Sequence, residues 1–138
     1  MKVYADINTM GNTQFSLEKL RDILASKYKN ILDIVEIPTS NITCGFLVVD
    51  QDTNEAIFSG DGFRTDHGGE GGSGYKKAQI FMEVMGVEPN MLAPQIDIDH
   101  KLFIGKSESE QCRALASMLK KHCEPLFDGM KAYVDGPK

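Results

Sequence analysis

Between Gly62 and Phe81 the chain reads GFRTDHGGEGGSGYKKAQIF, and six of the first thirteen residues are glycine. Glycine takes backbone shapes that other residues avoid and lets a ligand come close to the main chain. The glycines run directly into a segment of helical spacing that begins at Tyr75. The first turn of a helix carries free N–H groups and the positive end of the helix dipole, so this junction has the ingredients of a phosphate or anion seat. Lys76 and Lys77 stand just inside the helix, and Arg64 stands just before the glycines. A guanidinium pairs with phosphate through two parallel hydrogen bonds or stacks on a base. Phe63 and Tyr75 bracket the segment and suit the two sides of a purine ring, a contact worth about 1–3 kcal/mol per base. Asn90 offers a donor and an acceptor to a base edge, and after Pro89 it serves equally as a turn residue. The candidate ligand-binding set is therefore Phe63, Arg64, His67, Gly69, Gly71, Gly72, Gly74, Tyr75, Lys76 and Asn90, with Lys106 and Arg113 as further cations near the start of the last helix.

The motif itself has no unique reading. The lysine and hydroxyl residue that close a P-loop are absent. The repeated G-x-x-G spacing lacks the strand-helix-strand setting of a dinucleotide fold. A surface loop and a subunit contact remain open beside the anion seat. Asp66, His67 and Glu70 form one acidic cluster, and Asp97, Asp99 and His100 form another. Carboxylate oxygens suit magnesium or manganese, but neither cluster has a recognised ligand spacing. The alternation of QIDIDH sends both aspartates to one face, read as the solvated one. No metal or cofactor is assigned. His67 is a candidate general base or ligand donor, although a lone loop histidine is more often neither. His122 lies on an apolar helical stripe and reads as a packing residue. No cysteine has a histidine partner in a nucleophilic arrangement, so no catalytic residue is assigned.

The elements that must position these residues follow from periodicity. KVYADIN (Lys2–Asn8) alternates and predicts a strand. SLEKLRDILASKYKN (Ser16–Asn30) predicts an amphipathic helix capped by Ser16, with Leu17, Leu20, Leu24 and Tyr28 as its apolar stripe. ILDIVEIP (Ile31–Pro38), CGFLVVDQ and EAIFSGD predict strands, the last two joined by DTN as an antiparallel hairpin. Tyr75–Gly86 predicts a helix, with Ala78, Phe81, Met82 and Met85 on one face and Ile80 and Val84 off it. So apolar a helix is expected between layers or against another subunit. QIDIDHKLFIG predicts a further strand or two. The last helix begins at SESE, where Ser107 and Glu110 have capping-box spacing, and its face carries Cys112, Leu115, Leu119, His122 and Leu126. Residues 1–138 thus predict one α+β domain, with a mainly antiparallel sheet and helices packed on one face.

Composition restricts the partners. The net charge is −5 with no basic tail or stripe, which disfavours DNA or RNA polymers but leaves room for a small phosphorylated ligand. Three cysteines without close spacing fit neither a disulfide framework nor a zinc site. The N-terminal residues lack a signal-peptide core, and no apolar run is long enough for a membrane span, so a cytoplasmic location is expected.

YADINTMGNTQFSL at the start, GDGFRTDHGGEGGSGYKKAQ in the middle and the small α+β layout resemble phage anti-Thoeris proteins of the first type. The resemblance covers most of the chain. It implies a sponge that sequesters cyclic ADP-ribose-type immune signals without cleaving them, in the host cytosol. It also implies a homodimer, or a hexamer built as a trimer of dimers that holds cyclic di- or trinucleotides at separate sites. A small enzyme acting on a phosphorylated nucleotide or metabolite is the competing expectation, and a structural protein whose glycines shape an assembly contact is the third.

Overall fold

The computed structural model describes residues 1–27, 33–50 and 52–135. One six-stranded mixed sheet organises them. Its strands are β1 (Lys2–Tyr4), β2 (Asp33–Pro38), β3 (Thr43–Asp50), β4 (Glu55–Phe58), β5 (Phe63–Arg64) and β6 (Met91–Leu92). The order is β1-β4-β3-β2-β6, with β5 pairing β3 off this path. The pairings of β3 with β2, β4 and β5 are antiparallel, while β1–β4 and β2–β6 are parallel. The helices are α1 (Thr13–Lys27), α2 (Gly69–Val84) and α3 (Glu108–Asp135). This is the α+β class with a mainly antiparallel sheet that the sequence predicts.

The helices lie on both faces of the sheet, not on one. Ile34, Cys44, Phe46 and Val48 pack against Leu20, Ile23 and Leu24 of α1 and Ala78 and Met82 of α2. Val35, Ile37, Leu47 and Val49 pack against Leu115, Leu119, Cys123 and Phe127 of α3. The physical reason is in β3. Phe46, Leu47, Val48 and Val49 are apolar without alternation and all are buried, the pattern of a strand covered on both sides.

Local chemistry explains several boundaries. The DTN hairpin forms as expected, and the Asp50 carboxylate accepts the Asp52 and Thr53 N–H groups across the turn. Ser107 caps α3 with both legs of the capping box, its hydroxyl accepting Glu110 N–H and its own N–H reaching the Glu110 carboxylate. Ser16 is not the cap of α1. Asn12 is, through Phe15 N–H at 2.8 Å, and Ser16 is fully buried. The strand expected over QIDIDHKLFIG is extended chain and then a 3-10 turn at His100–Phe103. Only Met91–Leu92 pairs with β2. Beyond it Pro94 has no N–H to give, and the segment docks instead through Ala93 and Ile96 N–H groups on the Glu36 and Pro38 carbonyls. The expectations at Tyr28, Asn30, Ile31 and Gln51 lie outside the described residues.

Candidate functional site

The two stretches YADINTMGNTQFSL and GDGFRTDHGGEGGSGYKKAQ meet in space. The Ser16 hydroxyl donates to the Thr9 carbonyl at 2.8 Å and accepts Gly62 N–H at 3.0 Å. The Thr13 hydroxyl donates to the Gly62 carbonyl at 2.6 Å, and Gly11 N–H donates to Asp61 at 2.6 Å. The approach is so close that a Cβ on Gly62 would fall 2.4 Å from the Asn12 backbone. These bonds set the start of α1 beside the start of α2.

The structure starts α2 at Gly69, six residues before the Tyr75 expected from the pattern. Gly72 N–H bonds to the Gly68 carbonyl at 2.8 Å and closes the first turn. Glycine costs a helix about 1 kcal/mol relative to alanine, so packing must favour it here. A Cβ on Gly72 would lie 2.2 Å from the His67 carbonyl carbon, and one on Gly74 would lie 2.3 Å from the Thr13 methyl. Gly71, Gly72 and Gly74 are buried, and the space a Cβ on each would need is taken by protein atoms, which leaves only their main-chain groups to meet a ligand.

The amides ahead of Gly72 are different. The N–H groups of Gly69, Glu70 and Gly71 have no acceptor among the described residues, and Gly69 and Glu70 are exposed. Just before them, Arg64 grips Asp66 through Nε–Oδ1 at 3.0 Å and Nη2–Oδ2 at 2.6 Å. Asp66 Oδ1 also accepts Gly68 N–H at 3.1 Å. The hydrogen bond and charge of Arg64 hold the Asp66 carboxyl below its usual range, and Asp66 holds the guanidinium above its own. An internal carboxylate therefore occupies the place beside the helix start that an external anion would take. His67 adopts φ +64° in this turn, and its side chain is exposed.

A groove of about 240 Å³ opens alongside, lined by Thr13, Gln14 and Leu17 of α1 and Glu70, Ser73, Gly74 and Lys77 of α2. Its walls are polar and apolar in about equal measure, with the Glu70 carboxylate and the Leu17 side chain beside Thr13, Gln14, Ser73 and Lys77. The sequence singles out Gly74 among its residues, places Glu70 in an acidic cluster and names Lys77 as a nearby charge. Thr13, Gln14, Leu17 and Ser73 carry no sequence signal of their own, because their meeting depends on how α1 docks on α2.

Several predicted partners lie elsewhere. Phe63 is fully buried and its ring centroid is 5.3 Å from that of Phe46. Tyr75 stacks on the same Phe46 at 6.1 Å and donates to Glu36 at 2.6 Å. Burial and then the Glu36 carboxylate push the Tyr75 phenol up. The two rings form an internal stack around Phe46, which removes them as a purine sandwich. Lys76 is exposed and is not among the groove residues. Asn90 lies past the far end of α2, about 24 Å along the axis for a helix of this length. Its N–H donates to the Ile34 carbonyl and its side chain to Asp33, long-range bonds that tie the segment to β2 and are not those of a local turn. Lys106 and Arg113 sit at the start of α3, across the sheet, where Arg113 bonds Ser109.

The acidic clusters are likewise placed. Asp97 and Asp99 are both exposed, and Asp99 caps the 3-10 turn through Lys101 N–H. Among the described residues no group of three or more His, Cys, Asp or Glu side chains is arranged to hold a metal. His122, read from the sequence as a packing residue, is half-buried beside the core residue Cys123 and donates from Nε2 to the Pro94 carbonyl at 2.6 Å. Cys44, Cys112 and Cys123 are free thiols. Burial pushes Cys44 up to about 12 and Cys123 up to about 11. No described helix is long and apolar enough to cross a membrane.

Comparison with known proteins finds no matching family model, no matching curated protein and no matching solved structure.

Proposed function

We propose that the protein binds a small phosphorylated nucleotide, of the cyclic ADP-ribose type that its resemblance to anti-Thoeris sponges suggests, and holds it without turnover in the host cytosol. One observation carries this reading: the amides of Gly69, Glu70 and Gly71, which have no acceptor among the described residues, lie at the start of a helix that also walls a groove. The dipole at that end favours negative charge. Arg64 and Gly68 N–H already hold a carboxylate there, so an arriving phosphoryl group has to displace Asp66 and inherit its partners. Thr13, Gln14, Ser73 and Lys77 then offer hydrogen bonds to the rest of the ligand.

The groove sets a limit on affinity. At about 240 Å³ it falls just short of the roughly 300–1,000 Å³ of ordinary ligand pockets. A sponge for a scarce signal needs a nanomolar dissociation constant, about −12 kcal/mol. One chain in this conformation therefore supports weaker binding, and nanomolar affinity requires closure over the groove.

The test is an uptake-and-return experiment. The protein is incubated with cyclic ADP-ribose isomers, separated from free ligand, denatured and the released ligand analysed. Intact ligand in the released fraction supports the proposal. Chemically altered ligand would make the protein an enzyme, and no uptake would remove the nucleotide reading.

A further inference from the structure

The groove beside the start of α2 has one committed wall and one uncommitted wall. On the α1 side the Thr13 hydroxyl donates to the Gly62 carbonyl at 2.6 Å, and the Gln14 amide donates to Glu18 at 3.1 Å. On the α2 side the side chains of Glu70, Ser73 and Lys77 are exposed and form no hydrogen bond or ion pair among the described residues. Their spacing puts them on one stripe of the helix. Counted from Glu70, Ser73 lies about 4.5 Å and Lys77 about 10 Å further along the axis. Moving away from the Gly69–Gly71 amides, the wall therefore offers a carboxylate, then a hydroxyl, then an ammonium. Glu70 is the odd member. A carboxylate only accepts hydrogen bonds, and this one stands in the very turn whose amides favour an anion. It repels a phosphoryl group unless a donor comes between them.

We infer that Glu70 is a specificity residue of this site: its carboxylate accepts hydrogen bonds from the vicinal hydroxyls of a ribose attached to the seated phosphoryl group. The inference rests on the nucleotide reading and adds to it which phosphorylated ligands the seat takes. Two adjacent hydroxyls match the two carboxylate oxygens, and hydrogen bonds to a charged acceptor are the stronger kind. Beyond the ribose, Ser73 donates or accepts, and the Lys77 ammonium meets an acceptor such as a ring nitrogen of the base. Phosphate, ribose and base thus meet amides, carboxylate and ammonium in the order in which a nucleotide carries them. A bare anion gains the amides but brings no donor to Glu70, so the site turns away pyrophosphate and admits it as part of a riboside. A first-turn carboxylate also suits the positive end of the helix dipole. That role affects stability and is blind to the ligand.

Calorimetric titration of the full chain and of Glu70→Gln separates the two roles, with cyclic ADP-ribose and pyrophosphate as probes. Pyrophosphate is the phosphoryl core of the first probe without its riboses. Glu70→Gln is expected to bind cyclic ADP-ribose about tenfold more weakly and pyrophosphate more tightly. Neither general charge repulsion nor lost stability moves the two probes in opposite directions. Thermal melts of both chains confirm folding. Any other pattern in a chain that binds cyclic ADP-ribose, with both probes tighter, both weaker or both unchanged, would overturn this inference and leave the nucleotide reading standing. No uptake of cyclic ADP-ribose by the parent chain would bring down the nucleotide reading itself, and this inference with it.

Discussion

Replacing Gly72 with alanine tests whether the glycine segment is helix packed against protein. In solution chemistry alone the change should help, since alanine favours a helix interior over glycine by about 1 kcal/mol. The structure reverses that sign. The new Cβ would sit 2.2 Å from the carbonyl carbon of His67, 2.5 Å from its oxygen and 2.7 Å from its Cα. These are backbone atoms and cannot rotate aside. They belong to a turn fixed by the Asp66 bonds to Arg64 and Gly68, so α2 must move away from that turn. Overpacking of this kind costs about 1–3 kcal/mol and occasionally more. Because the contact is at the severe end, a net loss of about 2 kcal/mol is expected after the propensity gain. For a chain of this size that lowers the unfolding midpoint by roughly 7 °C. Calorimetry or a circular-dichroism melt reads it, with Ser73→Ala as the exposed neighbour that should be neutral or slightly stabilised. Gly71→Ala should cost less than Gly72→Ala, because its Cβ meets the movable Cγ of Arg64 at 2.6 Å. If Gly72→Ala were as stable as Ser73→Ala, the helix would not begin inside the glycines and the open amides assigned to its first turn would not exist.

Other consequences are equally direct. Asp66→Asn removes the internal anion from Arg64 and Gly68 N–H and should tighten nucleotide uptake by calorimetric titration, whereas Arg64→Ala should weaken it with a nearly unchanged melting midpoint; a large midpoint drop with normal uptake would make Arg64 structural. Asp50 is buried, which raises its pKa, but the Lys27 ammonium at 3.0 Å and the turn amides outweigh burial and lower it. A depressed carboxyl pKa contributes stability above the unfolded value and loses it as pH falls through the folded value. Acid unfolding should therefore show an Asp50 component below about pH 4 that Asp50→Asn abolishes, with a loss of about 2–3 kcal/mol at neutral pH. Buried Cys44 and Cys123, with thiols pushed up to about 12 and about 11, should resist maleimide at pH 8 in the native protein, half-buried Cys112 should react first, and all three should react once the chain is unfolded.

Much of the architecture was legible because it is written in short-range patterns. The DTN hairpin, the Ser107–Glu110 cap and the solvated pair Asp97 and Asp99 each follow from neighbours within a few residues, and each stands as expected, whereas the buried stripe of α3 keeps Leu115 and Leu119 but continues through Cys123 and Phe127 in place of His122 and Leu126. The two-sided burial of β3 was also encoded, in the unbroken run from Phe46 to Val49, although the expectation of helices on one face passed over it. The Arg64–Asp66 grip spans only two residues and was open to the same local reading.

What the sequence determined by itself is most of the inventory, the three helices and the strands β1 to β4 in their order, and that the glycines between Gly62 and Gly74 mark a special place. Tertiary structure alone decided what that place is. Whether Gly72 faces a ligand or the His67 backbone, whether Phe63 and Tyr75 flank a purine or close around Phe46, and whether Asn90 lies near the glycines or beyond the other end of α2 are set by contacts between residues distant in the chain. Periodicity fixes the side of an element on which a residue sits. Only the packing of one element on another fixes what that side touches, because close-packed interiors leave room for a single arrangement of neighbours.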